Sequence, residues 1–143
     1  MKFVLITGRI LFSLLFILSS FGHFKAETIA FAGSQGLPLA SVLVPLSGVV
    51  ELIGGLSILV GYRAKLGAWL LVIFLIPVTF MFHQFWTITD PMTYQMQFVM
   101  FMKNISITGG ALLIAYFGSG ELSIDAAGKS RSYSHSSGKE VVA

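Results

Sequence analysis

Six residues place ionisable or amide side chains inside stretches that are otherwise apolar: Arg9, His23, Glu51, His83, Lys103 and Asn104. Glu51 is the most informative, because it sits in Pro45 to Gly61, PLSGVVELIGGLSILVG, within a run long enough to span a bilayer. A charged side chain at the bilayer centre costs about 2.5 kcal/mol or more even on lenient scales, so it turns to the bundle interior and finds a partner. Two chemistries suit such an acid. It ties helices together as half of an ion pair, or it exchanges a proton with a bound molecule. Ser47, Gly54 and Gly55 stand at i−4, i+3 and i+4 from it, so this helix face is small and admits a neighbouring backbone. A carboxylate, a cation, an amide and an imidazole around an apolar interior suit a flat amphiphile with carbonyl or hydroxyl groups, a quinone among them. One carboxylate and two well-separated histidines make a poor metal site. A bis-histidine haem between His23 and His83 is geometrically imaginable, but no further haem signal accompanies the pair.

The composition says what must position these groups. Hydrophobic residues make up 55% of the 143-residue chain and charged ones 10%, with a mean hydropathy of +0.86, against about 25% charged in soluble domains. This is the composition of an integral membrane protein of one domain, with no room for a separate soluble catalytic domain. The formal charge of +3 does not point to nucleic acid, since the basic residues are scattered and sit near the edges of apolar runs. The absence of cysteine excludes disulfides, thiolate metal sites and iron–sulfur ligation, so any redox centre must be borrowed from a partner or bound. No nucleophile elbow, phosphate loop or zinc helix is present, and Gly54-Gly55 and Gly109-Gly110 fall within spans, where they read as helix contacts.

Four spans are expected, at about 3–24, 40–61, 66–86 and 98–117. The first could be a signal peptide, but Arg9 interrupts its apolar centre and no small residue stands two positions before a cleavage point at Ala26, so it reads as retained. Its polar positions Arg9, Ser13, Ser20 and His23 form one narrow helical stripe that should face the bundle. Residues 25–39 read as a loop with one short amphipathic turn, Tyr62 to Lys65 as a tight basic hairpin, and Thr87 to Gln97 as a polar connection with a turn at Asp90-Pro91. The expected architecture is an all-α, up-down-up-down transmembrane four-helix bundle over 1–125, followed by a disordered cytoplasmic tail over 126–143. Lys2, Arg63, Lys65, Lys129, Arg131 and Lys139 share the side that holds both termini, whereas the opposite connections offer only Lys25, so both termini are expected in the cytoplasm.

On that topology Glu51 lies about 15 Å from either surface, Arg9 about 9 Å from the cytoplasmic end and Lys103 about 7 Å below the outer end. Both cations could reach toward Glu51, and both could snorkel toward their own surface.

The order of these motifs resembles the DoxX family of small four-span membrane proteins. The residues that carry the likeness are Arg9-Ile10-Leu11, the exit Ser20-Phe21-Gly22-His23-Phe24-Lys25, Glu51-Leu52-Ile53-Gly54-Gly55, Gly61-Tyr62-Arg63, His83, Lys103-Asn104 and the stretch Gly118 to Asp125. The resemblance implies a multi-pass protein of the bacterial inner membrane, linked to quinone or quinol oxidoreduction or to redox stress. On that reading Glu51, Lys103, Asn104 and His83 surround a quinone head group, Arg9 fixes Glu51, and His23 lies close by. Two alternatives stand beside it: a small proton-coupled transporter of lipophilic molecules, and a membrane scaffold for a partner redox enzyme or a second copy of the chain.

Overall fold

The computed structural model describes residues 2–128. Four long helices cross the molecule: α1 (Lys2–Ser20), α3 (Ala40–Val60), α4 (Ala64–Phe82) and α5 (Pro91–Phe117), with a short α2 (Ala26–Ser34) between the first two. The four spans defined by length and hydropathy are Phe3–Phe24, Ala40–Val60, Ala64–Thr87 and Pro91–Phe117, the first running on from α1 through a 3₁₀ turn at Phe21–Phe24. Consecutive long helices run antiparallel, with α3 packed on α1 and α4, and α4 packed on α5. Among the described residues the chain is all-helical. Large apolar side chains such as Leu11, Leu18, Ile53, Ile73 and Leu113 point outward, where lipid, not water, is the expected solvent.

Close packing depends on small residues in α3. A Cβ on Gly54 would come within 2.7 Å of Leu71 and 3.0 Å of the Gly67 carbonyl on α4, and one on Gly55 would meet Ile17 of α1 at 3.0 Å. Without a hydrophobic drive between helices in lipid, such backbone approach supplies dispersion contact instead. Phe16, Ile58, Ala68, Leu71, Leu75 and Ala115 fill the resulting core. The stripe on α1 faces inward as its spacing requires: Ser13 and Ser20 are fully buried beside Phe16.

Two boundaries differ from the sequence expectation. The last span starts at Pro91 instead of 98, because Asp90-Pro91 opens a helix here. The Asp90 carboxylate accepts hydrogen bonds from the Thr93 backbone N–H and hydroxyl, at 2.8 and 2.7 Å, while proline occupies the first turn, where no N–H is needed. Residues 25–39 carry a nine-residue helix, α2, in place of a single turn. At the opposite end the chain folds back after α5, and 124–128 forms a helical turn whose last three residues, 126–128, fall in the stretch expected to be a disordered tail. The remainder of that stretch, 129–143, lies outside the described residues.

This return segment locks the α3–α4 hairpin. Arg63, which precedes α4, has a left-handed backbone and offers no side-chain cap. Asp125 supplies one from 61 residues away, accepting from the backbone N–H groups of Arg63 (2.8 Å) and Ala64 (3.2 Å). Gly61 ends α3 at φ +68, and a side chain there would collide with Ser123 and Ser119 of the return segment.

Candidate functional site

Ser47 and Glu51 are one turn apart on α3, so their side chains stack on one face. His23 reaches them from the turn after α1. Gly48 permits this, since a Cβ there would lie 2.7 Å from the Cβ of His23. The imidazole then bridges the two: Nδ1 is 2.7 Å from Ser47 Oγ, and Nε2 is 3.2 Å from Glu51 Oε2. The second contact has the distance of an ion pair, yet it is not aligned as a hydrogen bond, and Oε2 has no hydrogen-bond donor. On the other oxygen, Ser19 Oγ donates to Oε1 over 3.4 Å. Glu51 is only 3% exposed.

The hydrogen-bond network fixes one proton. The Ser47 hydroxyl spends its hydrogen on the Val44 carbonyl at 2.7 Å, so its oxygen must accept from Nδ1–H of His23. Nε2 therefore faces the carboxyl group of Glu51 with a bare lone pair or with a second proton. A bare lone pair against a carboxylate is repulsive at this separation, so the close approach favours one proton on the pair, on Nε2 or on a Glu51 oxygen. Either placement of it, imidazolium with carboxylate or imidazole with carboxylic acid, leaves the pair neutral overall.

This dyad sits on the wall of a half-open cavity of about 480 Å³, lined by α1, α2, α3, α4 and α5, within the ~300–1,000 Å³ range of small-molecule sites. Phe74, Leu75, Met81 and Phe82 give it apolar walls, and Phe31 of α2 lies against Phe82 with ring centroids 6.2 Å apart. Lys103 and Asn104 contribute from α5. Asn104 is 7% exposed.

Of the six residues singled out above, Glu51, His23, Lys103 and Asn104 meet at this cavity, and Arg9 and His83 do not line it. Arg9 does not fix Glu51. Its guanidinium donates to the carbonyls of Ser119 (3.0 Å) and Leu59 (3.2 Å), at the hairpin end of the bundle. The reason is directional: helical side chains lean toward the N-terminus, and the last turn of α3 offers a free carbonyl and the negative end of a helix dipole. His83 pairs through Nδ1 with Gln97 Oε1 at 2.8 Å. Ser19 and Ser47 complete the dyad, and neither was identifiable as a polar partner. Ser47 passes in the sequence for a small packing residue, and Ser19 lies one position off the buried stripe.

With α5 beginning at Pro91, Lys103 lies 12 residues into the helix and six residues past Gln97, which meets His83 at the end of α4; it is an exposed residue that lines the cavity.

The family model that matches is the SURF4 family, over residues 1–131. The chain belongs to the SURF4 family. It is 34% identical over 122 residues to the inner membrane protein YqjF of Escherichia coli (strain K12), covering 84% of this chain and 88% of that protein. It is 28% identical over 125 residues to the inner membrane protein YphA of the same organism, covering 85% and 88%. No solved structure matches. The DoxX resemblance is thereby corrected: the matching family is SURF4. The protein is an integral inner-membrane member of the SURF4 family.

Proposed function

We propose that this SURF4-family protein binds the head group of a quinone or quinol within the inner membrane, and that the His23–Glu51 pair gives it or takes from it a proton. The observation that carries the reading is the dyad itself, an imidazole 3.2 Å from a carboxyl group on the wall of an apolar cavity in the spanning region. A carbonyl or hydroxyl head group accepts or donates at such a pair, and Phe74 and Phe82 offer flat apolar surface to a ring. Interconversion of quinone and quinol moves electrons as well as protons. The chain's own residues handle protons, so the electrons belong to a partner redox enzyme, and the protein acts as a component of that reaction. Both termini lie in the cytoplasm on this reading, from the distribution of basic residues.

Purification in mild detergent followed by solvent extraction tests it. The expected result is an isoprenoid quinone recovered with the wild-type protein and depleted from Glu51→Gln, whose amide preserves the side chain's shape. A wild-type protein that carries no quinone and takes up none when it is added contradicts the reading. Glu51-dependent, pH-driven efflux of a lipophilic cation without quinone binding would assign the cavity to transport.

A further inference from the structure

The charges around the cavity do not balance. Glu51 meets His23 and Ser19, and no ion pair joins it to Lys103, so it is not the counter-ion of that lysine. Among the described residues Lys103 has no hydrogen-bond or ion-pair partner. Although exposed, it lies within the apolar span of α5. A cation within a span and without a partner is costly, and such residues characteristically pair or line a site. Beside it, Asn104 is 7% exposed as a residue and lines the same cavity, and among the described residues its side-chain amide makes no hydrogen bond. An ammonium and an amide N–H₂ on one wall are donors awaiting an acceptor.

We infer that Lys103 and Asn104 form an anion-recognising wall, so that the cavity selects an amphiphile whose head carries one ionised oxygen acid, an enolate or a carboxylate, over its neutral counterpart. This rests on the cavity being the ligand site proposed above and adds the charge of the head group. The ligand's anionic oxygen accepts from Lys103 Nζ and Asn104 Nδ2, its apolar body lies along Phe74 and Met81, and its remaining oxygen faces the dyad. The ligand then completes the neutrality that the protein lacks. The orphaned amide becomes satisfied in the same step, which a purely hydrocarbon occupant would not achieve.

The test is binding to the full chain in an uncharged detergent. The probes are an alkylated hydroxynaphthoquinone, which ionises to an enolate, and its O-methyl ether, which does not. A second pair is an alkyl carboxylate and its methyl ester. The expected result is a preference of about tenfold or more for the hydroxynaphthoquinone over its ether, lost in Lys103→Met and kept in Lys103→Arg. The arginine variant shows whether charge, not the lysine's packing, carries the effect. Equal affinity for ionised and neutral members of both pairs overturns the inference and leaves the quinone reading standing. Preference for the carboxylate over its ester, with the same dependence on Lys103 and no quinone bound, supports the anion wall and overturns the quinone reading. A preference that persists unchanged in Lys103→Met contradicts the role given to this residue.

Discussion

Asp90 sets the start of the longest helix, and with it the depth of every residue along α5. Its carboxyl is held below the usual aspartate range, first by the Thr93 hydroxyl and then by the Thr93 backbone N–H. Because the folded value is lowered, the cap contributes fully above the unfolded value of about 3.9 and is lost as pH falls through the folded one. Asn also caps helices well but does not titrate. Asp90→Asn should therefore leave the thermal midpoint near neutral pH almost unchanged and flatten its fall on the acid side. Identical acid profiles for the two proteins would show that this cap does not govern the response. Glu51 was legible as an interior acid because its flanks are apolar for a full span. Its partner was not. Arg9 and Lys103 are long enough to reach it, and residue type alone does not reveal that His23 gains access over Gly48 while Arg9 is drawn to the carbonyls of Leu59 and Ser119.

Helix α3 owes its central place to two faces of small residues, one against α1 and one against α4. Gly55→Leu forces a branched side chain into a space where a Cβ already meets Ile17 at 3.0 Å, at a cost of about 1–3 kcal/mol. Leu56, the next residue, is 43% exposed, and its truncation to Ala on a lipid-facing surface should cost much less. Thermal unfolding in detergent compares the two variants, and equal loss would mean that the contact face is misassigned. The spans themselves were readable because runs of about twenty apolar residues have few other uses. The start of α5 was not, since Asp-Pro serves equally as a turn and as the cap and first residue of a helix. The cap on α4 was equally hidden, because Asp125 reaches it from the far end of the chain.

For the whole molecule, four helices, a hairpin lock at one end and a cavity toward the other give the bundle two unlike halves. Arg63 and Lys65 lie at the locked end with the N-terminus, the arrangement expected of a cytoplasmic face. Reporters fused after Ala143 and within Tyr62 to Lys65 should both report cytoplasm, and a periplasmic signal from either would reverse the orientation. Toward the other end, α2 covers the cavity that holds His23 and Glu51, where the proposed function couples ligand binding to proton exchange. Infrared difference spectroscopy on adding a short-chain quinol to the full protein tests that coupling most directly. The expected result is a change in carboxyl or carboxylate absorption that is present in the wild type and vanishes in Glu51→Gln. A quinol that binds the wild type while leaving every Glu51-dependent band unmoved would contradict proton exchange at this pair.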